Sequence, residues 1–266
     1  MFYINKDLYE NIENQKRAEQ IIQEITDCFH RYGVSNQKAI PLTPYLLYKA
    51  SLYNNPFGIT LQSIINGEIE IDDDVRLLVK EILTDDLWEC LLQLITKYSS
   101  EEFALAVVDP MTKNEPGDTI PTPDSIIKLV HKLLDVKAGD RVADICCGSG
   151  TYMMSAALEE SKAFYHGYEI NVANKTAAMM KAELLEADIA VTLSNVFTLA
   201  DAIEMPKYDK IFANYPFRLQ LRNLGAGIGY LEKMVERCPG LSKATSSDWL
   251  FNALLCDMLE KDGKAI

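Results

Sequence analysis

Positive charge is what this sequence most lacks. Its 26 lysines and arginines stand against 39 aspartates and glutamates, a formal net charge of −13. Phosphate backbones are held by clustered Lys and Arg, so the composition counts against strong, autonomous nucleic-acid binding. Any nucleic-acid role must rest on a local groove, on a partner, or on a further segment that supplies the basic surface. Long apolar runs are also absent. No segment reaches the roughly 18 consecutive apolar residues that a membrane span needs. The opening residues, Met1 to Lys6, show neither a basic flank ahead of an apolar run nor a cleavage site. The expectation is a cytoplasmic protein with no membrane contact. Histidine is scarce, and His30, His131 and His166 do not cluster with the cysteines. No C-x-x-C pair occurs among Cys28, Cys90, Cys146, Cys147, Cys238 and Cys256, so no metal site is expected. The thiols read as reduced and mostly buried. There is no internal repeat and no low-complexity run.

What is present is an ordinary globular mixture, 48% hydrophobic and 24% charged, long enough for one large core or two smaller ones. The first hundred residues read as helices. Leu8, Ile12, Ile21, Ile22, Ile25 and Phe29 recur at helical spacing, with Gly33 as a stop. A second helix follows Thr43-Pro44. Asp72-Asp73-Asp74 and Asp85-Asp86 place negative charge where helix N-termini favour it. Phe103 to Val108 fits helix or strand equally. Met111 to Thr122 is polar and turn-rich.

Beyond that point strands and helices alternate. Helices are expected over 125–134, 152–161, 171–187 and 248–260, and strands over 141–145, 163–170, 189–193 and 208–213. Such alternation implies a parallel sheet covered by helices. Lys261-Asp262-Gly263 reads as a turn, and Lys264 to Ile266 as the start of a strand in which the sequence stops, which suggests a piece of a longer protein. The fold expected is α/β: an N-terminal helical module, then a doubly wound, mostly parallel, Rossmann-like sheet cut short at its C-terminus. The expected domains are a helical one over 1–100, a linker over 101–122 and an incomplete second domain over 123–266.

The most informative stretch is Asp144-Ile-Cys-Cys-Gly-Ser-Gly150, between an expected strand and an expected helix. Gly148 and Gly150 permit a sharp turn and a close approach of backbone to ligand. Glu169 ends the next expected strand, about twenty residues on, where doubly wound folds place the carboxylate that grips a ribose diol. A dinucleotide or S-adenosylmethionine fits that geometry. The dinucleotide fingerprint wants a third glycine where Met153 stands. S-adenosylmethionine, which has no pyrophosphate, tolerates a bulky residue there.

The tetrapeptide Asn214-Tyr-Pro-Phe217 ends another expected strand, at the edge where parallel sheets carry their sites. The order of Asp144-x-x-Cys-Gly-x-Gly150, Glu169 and Asn214-x-Pro-Phe217 resembles the amino-methyltransferases with an Asn-Pro-Pro-aromatic motif. It is most similar to the modification subunits of type I restriction–modification systems and to related adenine-N6 DNA methyltransferases. Pro121-Thr-Pro-Asp-Ser125 matches the Thr-Pro element of that family, and the helical module fits as well. The motifs cover residues 100–266.

The resemblance implies S-adenosylmethionine as cofactor, DNA as substrate, and a specificity subunit and a restriction subunit as partners. It implies catalytic roles for Asn214, Tyr215, Pro216 and Phe217. Asn214 and the Tyr215 carbonyl would accept hydrogen bonds from the adenine amine, drawing its lone pair out of conjugation, and Phe217 would stack on the flipped base. The cofactor would be held by Pro121, Thr122, Pro123, Asp144, Cys146, Gly148, Ser149, Gly150, Glu169, Asn195 and Phe197, with Phe197 packing on its adenine ring. Tyr215 departs from the family pattern, which has proline there. A proline would stiffen the turn; any residue supplies the carbonyl. Cytosine-C5 chemistry needs a Pro-Cys nucleophile, and this chain has Cys238-Pro239 in the reverse order. Arg218 to Ser247 reads as a long loop, loosened by Gly225, Gly227 and Gly229 and carrying Arg218, Arg222, Lys233, Arg237 and Lys243. Ribosomal RNA or a protein glutamine as substrate, and a non-catalytic cofactor-binding subunit, are the alternatives.

Overall fold

In the computed structural model, residues 2–34, 42–108, 122–201, 205–216, 228–240 and 247–266 are described. They form two compact units, residues 1–121 with 172–186, and residues 122–171 with 187–266.

The first unit is helical. The single long helix expected at its start is two, α1 (Lys6–Glu10) and α2 (Ile12–Arg31), because Asn11 intervenes as an N-cap. Its side-chain oxygen accepts from the amides of Glu13 and Asn14, which offsets two donors the helix cannot satisfy itself. Helix α2 buries Ile21, Ile22, Ile25 and Phe29 along one face and ends before Gly33, at a φ of 67°. That stripe packs on α7 (Ser100–Val108), which also packs on α3 (Leu42–Ser51). Helix α7 settles the ambiguity at Phe103–Val108 and occupies the first residues of the stretch read as linker; residues 109–121 lie outside the described ones. The unit also holds α4 (Leu61–Ile65), α5 (Asp73–Ile82), α6 (Asp85–Leu92) and α10 (Val172–Glu183). The acidic signals act as expected: Asp72 caps α5 with its carboxylate on the Asp74 amide, and Asp85 and Asp86 lie in the first turn of α6 behind an N-cap at Thr84. Tyr45 and Lys49 both bond Glu183, and Lys175 pairs with Asp74 at 2.8 Å, fixing α10 within this unit. Among the described residues no helix is long and apolar enough to cross a membrane.

The second unit is a five-stranded, all-parallel sheet: β1 (Arg141–Asp144), β2 (Phe164–Glu169), β3 (Asp188–Leu193), β4 (Tyr208–Phe212) and β5 (Leu259–Ala265). The order is β3-β2-β1-β4-β5. This is the α/β, doubly wound, Rossmann-like architecture read from the alternation. The turn expected at Lys261–Gly263 lies inside β5, as an irregularity between the pairs Tyr208↔Leu259 and Lys210↔Lys264.

Strand alternation gives the sheet two different faces. Ala143, Tyr168 and Ile211 share a core with α11 (Ile228–Arg237) and α12 (Asp248–Met258). On the opposite face lie α8 (Asp124–Leu134) and α9 (Thr151–Glu159), where Tyr165 donates from its hydroxyl to the Ala156 carbonyl and Tyr152 packs on Phe212. Helix α11 corrects part of the loop expected over 218–247. Tyr230 and Met234, four residues apart, bury one face of it, and Lys233 and Arg237 ride on it. Arg218, Arg222, Gly225, Gly227 and Lys243 lie outside the described residues.

Candidate active site

Two turns define the site, and the sheet brings them side by side. Strand order reverses at β1, whose neighbours are β2 and β4. Ligands in doubly wound sheets bind at the carboxyl ends of the strands flanking such a switch point. The register pairs Asp144, the last residue of β1, with Phe212, the last of β4. The glycine loop and the Asn214 tetrapeptide therefore leave the sheet from adjacent strands at the same level.

The loop turns tightly: Gly150 N–H donates to the Cys147 carbonyl at 2.8 Å. Gly148 and Gly150 have φ of 56° and 82°, a region that a side chain disfavours. From Gly150 the chain enters α9, whose first turn holds Tyr152 and Met153, both buried.

Glu169 ends β2 beneath this loop. Its carboxylate accepts from Gly148 N–H at 2.9 Å, Ile170 N–H at 2.8 Å and Asn171 N–H at 2.7 Å. Glu169 thus organises the loop. Asp144 is buried, and its carboxylate accepts from Cys146 N–H at 3.2 Å. Burial pushes its carboxyl up to about 7; the Cys146 amide pulls it down and the Glu169 charge raises it again. Burial, and the negative charges of Asp144 and Glu169, push the Cys146 and Cys147 thiols well up, so neither is a thiolate near neutrality. Ser149 is buried in the same loop.

Met153 sits where a dinucleotide site has its third glycine. The close helix–strand approach is made from the other side. Gly167 in β2 has no side chain, and a Cβ there would lie 2.9 Å from Met153 Sδ and 2.8 Å from Cys147 Sγ. A glycine in mid-strand marks such an approach. The sequence carried that signal at Gly167, and it was missed.

At the second turn, Asn214 is exposed and donates from Nδ2 to Thr122 Oγ1 at 3.1 Å. The threonine of the Thr-Pro element and the asparagine of the tetrapeptide, 92 positions apart, thus meet. With the amide nitrogen on Thr122, the carbonyl oxygen is the end able to accept a donor. Pro123 is exposed at the N-cap of α8, and Pro216 is exposed beside Tyr215. The Tyr215 ring stacks on Phe251, with centroids 4.5 Å apart and planes within 3°. The Tyr215 hydroxyl donates to Asn252 Oδ1 at 3.2 Å; the sequence places neither Phe251 nor Asn252 at the site. Pro121 and Phe217 lie outside the described residues.

After β3, Ser194 N–H donates to the Glu169 carbonyl, and Asn195 Oδ1 accepts from Phe197 N–H at 3.2 Å in a tight turn. Phe197 is a core residue, 2% exposed, with Phe251 and Tyr230 as ring neighbours.

Strand order, glycine loop and paired strand-end motifs define the class: a Rossmann-like methyltransferase whose cofactor is S-adenosylmethionine. The chain belongs to the N-6 DNA Methylase family, whose model matches residues 102–266. Among solved structures it is similar to a protein assigned as the modification subunit of a type I restriction enzyme from Vibrio vulnificus YJ016. That similarity has 15% identity and a TM-score of 0.62, over 92% of this chain and 67% of the other. It is also similar to a protein assigned as a class I S-adenosylmethionine-dependent methyltransferase from Listeria monocytogenes. There the identity is 15% and the TM-score 0.55, over 96% of this chain and 73% of the other. At such identities the likeness is one of fold. No curated protein matches the chain.

Proposed function

We propose that this protein methylates the exocyclic amine of adenine in DNA, as the modification subunit of a restriction–modification system. The observation that carries the reading is the junction of the Asn214 turn with the Asp144–Gly150 loop at the switch point of the sheet. Family membership and the fold shared with a type I modification subunit support it.

The residues of the first turn fit the cofactor. Asp144 and Glu169 are two buried carboxylates within one short loop system. A pyrophosphate would meet their repulsion; a ligand bearing an ammonium and a sulfonium would meet attraction. Gly148, Ser149 and Gly150 would admit it closely, Asp144 would face its amino group, and Glu169 its ribose diol. Thr122 and Pro123, with Pro121, would line its methionine end, and Asn195 its adenine end. When bound, S-adenosylmethionine supplies a methyl group already activated as a sulfonium.

The protein's task is then mainly positioning. Asn214, oriented by Thr122, accepts a hydrogen bond from the adenine amine through Oδ1, and the Tyr215 carbonyl accepts one from its second N–H. These bonds would localise the nitrogen lone pair and hold the amine in line with the methyl group that bound S-adenosylmethionine supplies. Phe217 stacks on the extruded base and recovers part of the few kcal/mol that unstacking costs. No nucleophilic thiol takes part. With a chain charge of −13, DNA affinity comes mostly from a partner, a specificity subunit, with a restriction subunit completing the system. The protein works in the cytoplasm, where its DNA lies.

Calorimetric titration with S-adenosylmethionine, with NAD as control, tests the cofactor. Labelled methyl transfer to DNA, with and without a specificity subunit, tests the reaction. The reading expects saturable binding of S-adenosylmethionine alone, and transfer abolished in Asn214→Ala with binding retained. Binding of NAD, or transfer indifferent to Asn214, would sink it.

A further inference from the structure

Tyr215 occupies the second position of the catalytic tetrapeptide, where the resembling family has proline. Proline restricts φ and stiffens a turn; tyrosine leaves the backbone free. In this chain the side chain does something a proline cannot.

The Tyr215 ring lies flat against Phe251, and its hydroxyl donates to Asn252 Oδ1 at 3.2 Å. Both partners are neighbours on α12. That helix is anchored by Leu250, Leu254 and Met258, all fully buried in the core. Phe251 is itself 4.6 Å from Phe197, which in turn stacks on Tyr230 of α11. Tyr215 is thus held at ring and tip by α12, next to an Asn214 side chain that bonds Thr122.

We propose that Tyr215 is a positioning residue: tied to Phe251 and Asn252 of α12, it fixes the orientation of Asn214 for methyl transfer, a side-chain replacement for the stiffness of proline. The proposal rests on the reading of Asn214 as the acceptor for the substrate amine.

Misplacing a reacting group by an ångström costs about a hundredfold in rate. Tyr215→Ala is therefore expected to lower kcat by about tenfold to a hundredfold, with the dissociation constant for S-adenosylmethionine changed less than about twofold, since Tyr215 makes no part of that loop. Tyr215→Pro restores most of the lost kcat, because the ring stiffens the turn without touching α12. Asn252→Ala lowers kcat several-fold in the natural sequence and has no further effect beside Tyr215→Pro. A residue that only fills space would not be rescued by proline, which leaves the face of Phe251 bare.

Hydrogen exchange of a peptide spanning residues 208–216 reads the tie without turnover. Tyr215→Ala is expected to raise exchange there. Unchanged exchange in Tyr215→Ala, or a Tyr215→Pro enzyme as slow as Tyr215→Ala, overturns the proposal. An unaltered protein that transfers no methyl group while exchange responds as expected fails the functional reading and leaves the tie standing. An active protein whose kcat is indifferent to Tyr215→Ala fails this proposal alone.

Discussion

Replacing Gly167 with alanine puts a methyl group into the contact between β2 and the first turn of α9. Its carbon would stand 2.8 Å from Cys147 Sγ and 2.9 Å from Met153 Sδ. The Met153 methyl lies nearer still, and comfortable separations of this kind are about 3.5–4.0 Å, so the neighbours must retreat by about 1 Å or more. Met153 is fully buried and the Cys147 side chain is short, so neither retreats freely. The cost expected is that of overpacking, about 1–3 kcal/mol. Moving Cys147 also moves the loop whose Gly148 amide bonds Glu169, so affinity for S-adenosylmethionine falls with stability. Met153→Ala alone leaves a cavity, at a cost of about 2–5 kcal/mol. In the double variant the added methyl occupies part of that cavity. The two losses should then sum to at least about 1 kcal/mol more than the measured loss, as coupled neighbours do. Urea unfolding of the four proteins in the cycle gives the coupling, and calorimetry gives the cofactor affinity. Strict additivity, or a Gly167→Ala protein as stable as its parent, would refute the idea that a strand glycine replaces the missing helix glycine.

Asp144, proposed to face the ligand's amino group, is expected to make cofactor binding pH-dependent. Its carboxyl is raised to about 7, so the folded protein keeps a proton that an unfolded chain would release. Without ligand, that group's penalty to folding grows as pH rises from the ordinary aspartate range to about 7 and is constant above it. A cationic ligand needs the carboxylate, so affinity for S-adenosylmethionine should fall by up to about tenfold per pH unit below 7 and level off above 8; a flat profile in calorimetry between pH 5.5 and 8.5 would contradict this. Asp144→Asn should remove the slope. Glu169→Gln exchanges a carboxylate that accepts three amide bonds for a neutral amide, and a loss of about 2 kcal/mol in urea unfolding is expected, together with weaker cofactor binding; undiminished stability would mean that these bonds do not hold the loop. In native protein, an alkylating reagent followed by peptide mass mapping should modify the exposed Cys238 and Cys256 first. Cys28 and Cys147, whose thiols burial pushes up, should react only on unfolding, and early labelling of Cys147 would refute the closed loop.

The sheet was legible because its signals are local. Short apolar runs bounded by turns placed β1 to β4 within a residue or two, and Gly148, Gly150 and Glu169 follow from position relative to those strands. The end of the helix after Glu169 and the break at Asn11 were blurred, since helical periodicity runs through both. Helix α11 was hidden by the glycines and cations around it, although Tyr230 and Met234 keep helical spacing. That α10 belongs with the N-terminal helices follows from Glu183 meeting Tyr45 and Lys49, far away in sequence. The same limit hid half of the site. Asn214 on Thr122 and Tyr215 on Phe251 join segments 92 and 36 positions apart, and neither spacing nor composition encodes such pairs. Phe197, expected beside the cofactor's adenine ring, lies in the buried core.

The most direct measurement is the identity of the methylated product. DNA incubated with the protein and S-adenosylmethionine, with a specificity subunit added in a parallel reaction, would be digested to nucleosides and analysed by mass spectrometry. N6-methyladenine, absent when Asn214 is replaced by alanine, is the result this account predicts. 5-Methylcytosine, or unmodified DNA from protein that binds S-adenosylmethionine in the presence of its specificity subunit, would contradict it.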